Sequence, residues 1–196
     1  MASIVIGSRR SDEICNIPAI IGLSRFFLNC YDWEAEVTDK IHKYSVKVTW
    51  TGNNGTGTSS YESYSRSHVI QAEGKQRIEG SSDPSFRGDP ACWNPEELLL
   101  ASLAACHKLW YLNLCAKAGL VVVSYVDNAE GTMAEVSGGG GQFTTAILRP
   151  TVVLAYGADV ERARDLHRVA SKKCFIARSV NFPVAHFPEI IVKNEP

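Results

Sequence analysis

The sequence has no run of basic residues and no excess of positive charge. Its 196 residues carry 20 Lys and Arg against 21 Asp and Glu, which gives a formal net charge of −1. Proteins that bind nucleic acids rely on clustered Lys and Arg to neutralise phosphates. The composition therefore does not indicate a nucleic-acid partner.

The sequence also has no Cys-x-x-Cys pair. Its six cysteines are scattered: Cys15, Cys30, Cys92, Cys106, Cys115 and Cys174. Structural zinc sites take their cysteines in closely spaced pairs, so this spacing argues against one. No secretory signal is visible, because Asp12 and Glu13 follow Arg9 and Arg10 at once. We predict a cytoplasmic protein whose thiols are mostly reduced.

Long apolar runs free of polar residues are missing as well. The most apolar stretch, residues 94–119, contains Lys108, Asn113 and Lys117, so we predict no membrane-spanning segment. Apolar residues still make up 45% of the chain, which is enough for the core of one domain.

The pattern along the chain indicates an α+β domain with an N-terminal extension. Residues 1–40 have little periodicity, and we assign them no function. From residue 41 onwards the order is strands, helix, strands, helix and strand. The first strand alternates, with Tyr44, Val46, Val48 and Trp50 on one face, which predicts a half-buried strand.

The stretch 94–119 predicts a long central helix. Asn94 suits the N-cap position and Pro95 the first turn. Glu97, three residues after Asn94, can complete a capping box, and Gly119 can end the helix. Such a helix has about 24 residues and is about 36 Å long. Its apolar residues occur all the way round, which predicts burial on every side. Strands, a second helix or a partner subunit would have to cover it.

Two cysteines stand out for their positions. Cys106 lies in the middle of the central helix, and Cys174 ends the second predicted helix. A free cysteine is more often a small core residue, but two thiols that meet suit a peroxidatic and a resolving cysteine. The attacking species must be a thiolate, and an apolar site disfavours it. A cation must therefore reach Cys106, and Arg87 is the candidate.

The residues around these cysteines resemble a known family. The segment NPEELLLASLAACH, with a second cysteine 68 residues later in KKCFIARS, is similar to the OsmC/Ohr family of organic hydroperoxide reductases. WTGNNGTGTSSY and SDPSFRGD also resemble OsmC-type members. The resemblance covers about residues 42–193, so residues 41–196 are expected to form an OsmC-like domain.

The resemblance implies a fold, a reaction and roles for four residues. It implies an intertwined homodimer in which antiparallel sheets enclose long central helices. Cys106 would be the peroxidatic thiol, Cys174 the resolving thiol, and Glu96 the carboxylate that orients an arginine, here Arg87. The substrate would be an organic hydroperoxide and the reductant an external dithiol. No metal or organic cofactor is implied.

Helix geometry constrains how this site is assembled. Glu96 and Cys106 are ten residues apart on one helix, which separates them by about 15 Å along the axis and about 80° around it. One helix cannot bring both to one site. If Glu96 supports the chemistry at Cys106, it does so from the other chain of the dimer.

Two positions depart from the family pattern. His107 follows the first cysteine and Phe175 the second, where many members have an aromatic residue and a proline. We interpret His107 as a satisfied core histidine. Leu109, Trp110, Tyr111 and Phe175 could line an apolar pocket, which would favour an alkyl hydroperoxide because each buried methylene contributes about 0.8 kcal/mol.

Two other functions remain open at this point. A non-catalytic OsmC-like dimer could bind a small apolar ligand, in which case neither thiol would be unusually reactive. A thiol hydrolase could pair Cys106 with a distant histidine, His167 or His186. No motif in the sequence supports the hydrolase.

Overall fold

The computed structural model describes residues 40–195. The strands and helices lie within a unit that spans residues 44–196. Residues 1–39 of the predicted N-terminal extension fall outside the described part of the chain, as do Cys15 and Cys30.

Three short strands form the first sheet. They are β1 (Lys47–Trp50), β2 (His68–Gln71) and β3 (Ile78–Gly80), in the order β1-β2-β3 with antiparallel neighbours. The face of the first strand predicted to be half-buried is largely exposed, since Val46 is 67%, Val48 61% and Trp50 43% exposed. Within residues 40–195, no element covers these apolar side chains.

The central helix, α1 (Pro95–Lys117), has 23 residues and begins as predicted. The Asn94 side chain accepts a hydrogen bond from the Glu97 backbone N–H, and the Glu97 carboxylate accepts one from the Asn94 N–H. This capping box satisfies two backbone donors that the first turn leaves without partners. The chain leaves the helix through Gly119, whose φ of 73° suits glycine.

The prediction that α1 is buried all round is wrong for a single protomer. Its buried residues are spaced by four and form one stripe: Leu103, His107, Tyr111 and Cys115. On the opposite side Ala101, Ala105 and Leu109 are exposed, and Leu109 is 64% exposed. The part of the chain that the structure describes therefore covers only one side of this most apolar helix.

By length and composition α1 could also cross a membrane, contrary to the prediction from Lys108, Asn113 and Lys117. This observation has little weight, since the core helix of a soluble protein satisfies the same criterion. In this chain α1 packs with its buried stripe against protein, not lipid.

Two further sheets lie beyond α1. One has the order β4-β7-β9, with β4 (Val122–Asp127), β7 (Pro150–Leu154) and β9 (Glu189–Val192). The other has the order β5-β6-β8, with β5 (Glu130–Glu135), β6 (Gly141–Leu148) and β8 (Val184–His186). The strands β6 and β7 are separated only by Arg149 and lie in different sheets.

The expected antiparallel sheets are in fact mixed. β4 pairs with β7 and β5 with β6 antiparallel, whereas β6–β8 and β7–β9 are parallel. A parallel pair needs a long crossover connection. The second helix provides it, since it lies between β7 and the last two strands. The strand β8 was not predicted from the sequence, because it has only three residues.

The second helix, α2 (Val160–Lys173), is capped by Asp159, whose side chain accepts a hydrogen bond from the Arg162 N–H. Its buried residues Ala163, His167 and Ala170 face the core, and Cys174 follows directly as the C-cap. The main core contains Tyr111 and Cys115 of α1 together with residues of α2 and the β4-β7-β9 sheet. This packing brings the end of α2 towards the middle of α1.

Candidate active site

Cys106 lies on the wall of an open groove of about 760 Å³. The wall is formed mainly by the side of α1 that includes Ser102, Ala105, Leu109 and Asn113. A thiol in this position can meet a solute that enters the groove. Cys106 is half-buried, whereas Cys174 is only 1% exposed.

The structure brings the two predicted cysteines together. The Cys106 and Cys174 thiols are free, and they lie close enough together for Cys106 to affect the pKa of Cys174. Burial, and then the contact with Cys106, raises the pKa of the Cys174 thiol to about 11. Cys174 is therefore protonated at neutral pH, and its S–H can donate to the Cys106 sulfur.

The chain around Cys174 is shaped by the end of α2. After Lys173 the backbone turns away from helical geometry, and a single 3-10 turn follows at Ala177–Ser179. The Ala177 backbone N–H donates to the Cys174 sulfur over 3.4 Å. This donor steadies the sulfur and lowers its pKa, but burial outweighs it.

The apolar pocket predicted beside Cys106 is present in part. Leu109, Trp110 and Phe175 line the groove, and the rings of Trp110 and Phe175 meet edge to face with centroids 5.7 Å apart. Tyr111 does not line it, because this residue lies on the buried stripe of α1 and is 0% exposed. Tyr44 and Lys75 also line the groove, and no local sequence pattern pointed to them.

Arg87 does not reach Cys106 within the protomer. It is exposed at the end of a short 3-10 turn, Pro84–Phe86, with a φ of 65°. Its guanidinium carbon lies 5.9 Å from the centre of the Tyr61 ring. Arg87 is absent from the lining of the Cys106 groove.

A second arginine, missed in the sequence, contacts the same tyrosine. The Arg66 guanidinium lies 4.1 Å from the Tyr61 ring centre and 4.3 Å from that of Tyr64. Its Nη1 donates to the Tyr64 carbonyl, while its Nη2 is buried without a partner. The available indication was an arginine two and five residues after two tyrosines in YESYSR.

Glu96 lies at a different cavity from Cys106. It lines a space of about 250 Å³ together with Phe86, Met133, Glu135 and two glycines of the β5–β6 hairpin. Its Oε2 is buried and accepts no hydrogen bond. Within residues 40–195 no ion pair joins Arg87 to Glu96. One protomer therefore assembles the thiols but not the predicted carboxylate and cation around them.

His107 is a core histidine, as interpreted from the sequence. It is 1% exposed, and its Nε2 lies 3.0 Å from Nδ1 of His167, which is 0% exposed. Burial lowers the pKa of His107 to about 4 and that of His167 to about 3, so both are neutral at pH 7. In the described residues no hydrogen bond joins a histidine to Cys106, which is what a cysteine hydrolase would need.

No group of three or more His, Cys, Asp or Glu side chains within residues 40–195 could hold a metal ion. A half-buried thiol that meets solutes, backed by a buried thiol, can form a disulfide after a single oxidation.

Comparisons with known proteins agree with this architecture. The family model for OsmC-like proteins matches residues 88–186. YmaD of Bacillus subtilis is 29% identical over 143 residues, which is 71% of this chain and 87% of YmaD. The structure of an OsmC-like protein from Vibrio cholerae is 32% identical with a TM-score of 0.68, and the match covers 76% of this chain and 99% of that one.

A more distant structure extends the similarity of fold. An organic hydroperoxide resistance protein from Elizabethkingia anophelis has a TM-score of 0.55 at 17% identity, covering 78% of this chain and 99% of its own. At this identity the likeness concerns the fold alone.

Proposed function

The chain belongs to the OsmC-like protein family, and on that basis we propose that it is a thiol-dependent peroxidase that reduces organic hydroperoxides. The observation that carries this proposal is the contact between Cys106, on the wall of an open apolar groove, and the buried Cys174. A relative of this fold is named an organic hydroperoxide resistance protein, which agrees with the proposal.

The reaction proceeds in three steps. The Cys106 thiolate attacks the outer oxygen of the hydroperoxide, the O–O bond breaks, and the alkoxide takes a proton and leaves as an alcohol. Cys106 is now a sulfenic acid. Cys174 then attacks that sulfur, water leaves, and a disulfide forms. An external dithiol reduces the disulfide by thiol–disulfide exchange and becomes a disulfide itself.

The contact between the two sulfurs suits the first two steps. At neutral pH Cys174 is protonated and can donate to the Cys106 thiolate, so it stabilises the attacking species. Once Cys106 is oxidised, Cys174 loses its proton and becomes the nucleophile. Its burial keeps it away from hydroperoxide, so that the oxidant reacts at Cys106 alone.

The groove supports an organic substrate over hydrogen peroxide. Leu109, Trp110 and Phe175 give it apolar walls next to Cys106. Burying a hydrocarbon chain there contributes about 0.8 kcal/mol for each methylene, which hydrogen peroxide cannot gain. No organic cofactor or metal enters the proposed reaction, and the proposed compartment is the cytoplasm, where thiols stay reduced.

A second protomer completes the proposed site. Arg87 and Glu96 lie away from Cys106 in their own chain, and the exposed stripe Ala101, Ala105 and Leu109 of α1 is apolar. We assign these residues to a homodimer in which Glu96 and Arg87 of one chain lie beside Cys106 of the other. The Glu96 carboxylate then holds the Arg87 guanidinium in place. A guanidinium next to the sulfur favours its anionic form.

The test is steady-state reduction of cumene hydroperoxide with a dithiol as reductant. Cys106→Ser should lower the rate by at least about a thousandfold. Cys174→Ser should allow one oxidation of Cys106 and then stall. Cys92→Ser, another free cysteine that is not fully buried, is the matched control and should retain full activity. Full steady-state turnover by Cys106→Ser would disprove the proposal.

One observation favours a second candidate, a non-catalytic dimer that binds a small apolar ligand. The groove has the volume of a ligand site and a largely apolar lining. In that case alkylation of Cys106 would follow the pH dependence of an ordinary thiol, and apolar molecules without an O–O bond would bind as tightly as hydroperoxides. The pH profile of the alkylation rate separates the two candidates.

A further inference from the structure

A cluster of buried polar rings lies between α1, α2 and β8, and the proposed reaction does not use it. His107, His167 and Tyr111 are each no more than 1% exposed. Tyr111 stacks on His167 with ring centroids 3.7 Å apart and an interplanar angle of 15°. His186 of β8 flanks both histidines, at 5.4 Å from His107 and 6.4 Å from His167.

Polar rings are energetically unfavourable as core side chains. The Nε2 atom of His167 and the hydroxyl of Tyr111 are buried without hydrogen-bond partners. Each such group is unfavourable to bury compared with an apolar residue of the same size. What the cluster has in return is one directional contact, the 3.0 Å hydrogen bond from ring to ring between His107 and His167.

That hydrogen bond lies close to the thiols along both helices. His107 follows Cys106 directly on α1. His167 precedes Cys174 by seven residues, or about 10.5 Å and two turns of α2. The other buried residues of α2 are Ala163 and Ala170, whose smooth surfaces allow close approach but do not define one register between the helices. A hydrogen bond has a direction and defines one.

We propose that the hydrogen bond between His107 and His167 is a positioning device: it locks α1 to α2 in the register that brings Cys106 to Cys174. The inference rests on the proposed pairing of these thiols in a disulfide. His107 and His167 touch neither substrate nor sulfur, so they act through the placement of the two helices. Polar contacts within cores have this registry role in other proteins.

The lock requires rings without charge. The groups facing it are Tyr111 from α1, His186 from β8 and, behind His186, Arg168 from α2. None of them is an anion that could stabilise an imidazolium. Adding one proton to the neutral pair creates a buried charge that has lost its solvation. Adding a second proton turns both rings into donors, so no acceptor is left for the hydrogen bond. Acid therefore releases the helices and separates the thiols.

The experiment follows disulfide formation with diamide, which takes two electrons and two protons from a thiol pair. The reduced protein is mixed with diamide, quenched by alkylation, and the Cys106–Cys174 disulfide is quantified by mass spectrometry over time. Because diamide is no hydroperoxide, the result does not depend on peroxidase activity. If a variant forms the disulfide slowly with diamide but still reacts with hydroperoxide, the positioning by the histidines is affected and the peroxidase reaction is not. The reverse result would affect the proposed peroxidase function alone.

We expect His167→Leu to slow disulfide formation about tenfold, because the interaction free energy of two residues in contact corresponds to a factor of this order. His167→Gln, whose amide can still donate or accept, should stay close to wild type at pH 7. From pH 6.5 to 4 its rate should fall only as the thiolate fraction falls, whereas the wild-type rate should fall more steeply. His186→Leu is the matched control, because His186 stacks on the pair without joining the hydrogen bond.

A wild-type disulfide rate in folded His167→Leu would overturn the proposal, as would identical pH profiles for the wild type and His167→Gln. Circular dichroism establishes whether each variant is folded. If His167→Leu does not fold, the double variant His107→Leu/His167→Leu takes its place, because it leaves neither ring unpaired. The proposal then requires slow disulfide formation in the double variant, and a wild-type rate there disproves it.

Discussion

The two halves of the proposed active site are built differently. The thiol half, Cys106 and Cys174, is complete within one protomer, where α1 and α2 pack and the sulfurs meet. The other half, Arg87 and Glu96, lies elsewhere in the same protomer, and the Glu96 Oε2 atom is buried without a donor. Helix packing inside one chain brings the two thiols together, whereas the proposal assigns the placement of the charged partners beside them to a second chain.

The reason lies in the geometry of α1. The helix carries both Glu96 and Cys106, but they are about 15 Å apart along its axis. Packing against α2 buries only one stripe, and the opposite stripe remains apolar and exposed. Two such helices that pack in opposite directions would bring the start of one close to the middle of the other.

The largest expected effect comes from breaking the proposed pairing of protomers. Leu109→Glu places a charge in the exposed stripe of α1, and an uncompensated charge in an interface costs several kcal/mol. We expect the dimer to dissociate and peroxidase activity to fall roughly a hundredfold or more. Sedimentation velocity and turnover of cumene hydroperoxide measure the two results.

Tyr156→Glu is the control for this substitution. Tyr156 is 61% exposed, close to the 64% of Leu109, but it lies outside α1. It should remain a dimer with full activity. If Leu109→Glu were also a fully active dimer, the exposed stripe would not be the interface.

An intermediate effect should follow from weakening only the charged half. Glu96→Gln removes the negative charge proposed to hold Arg87, and hydrogen bonds to charged groups contribute about 1.5–3 kcal/mol. We expect kcat/KM for the hydroperoxide to fall about 10- to 100-fold. The diamide-driven disulfide should form at the wild-type rate, because the thiol half is untouched.

The neighbouring Glu97→Gln serves as the control. Glu97 accepts a hydrogen bond from the Asn94 N–H in the capping box, and glutamine can accept the same bond. Neither activity nor stability should change much. Equal losses in Glu96→Gln and Glu97→Gln would mean that the helix terminus matters and not the Glu96 charge.

A further expected effect concerns stability in acid, and it depends on the two histidines beside the thiol half. The folded-state pKa values of His107 and His167 are lowered to about 4 and 3. The unfolded chain therefore binds more protons below pH 6.5, and stability is lost as the pH falls from 6.5 towards these values. Each histidine contributes a slope of about 1.4 kcal/mol per pH unit.

Urea unfolding at several pH values measures this slope. In His107→Leu/His167→Leu both groups are gone, so the loss between pH 6.5 and 4 should be much shallower than in the wild type. A double variant with the wild-type slope would show that other groups cause the acid sensitivity.

Local features of the sequence predicted the elements that depend on local chemistry. The capping residues Asn94 and Glu97 located the start of α1. The family motifs around Cys106 and Cys174 pointed to two thiols that the fold does bring into contact. Of the four residues predicted as possible pocket lining beside Cys106, Leu109, Trp110 and Phe175 line the groove and Tyr111 does not.

What the sequence did not reveal depends on tertiary contacts. The hydrogen bond between His107 and His167 joins residues 60 positions apart, and no local pattern encodes such a pairing. β8 was missed because three residues carry too little periodicity, and its parallel pairing follows from where α2 returns the chain. Lys75 meets the groove through the β2–β3 hairpin. The open face of α1 could not be foreseen, since composition does not distinguish cover by the same chain from cover by a partner.

The most direct test of the shared site is the mixing of two inactive variants in one dimer. Cys106→Ser lacks the thiol, and Arg87→Ala lacks the cation. If each site combines Cys106 of one chain with Arg87 of the other, half of the sites in every mixed dimer are intact. Co-expression should then restore roughly a quarter of the wild-type peroxidase activity, because about half of the dimers are mixed. A mixture no more active than the two variants measured separately would contradict the account.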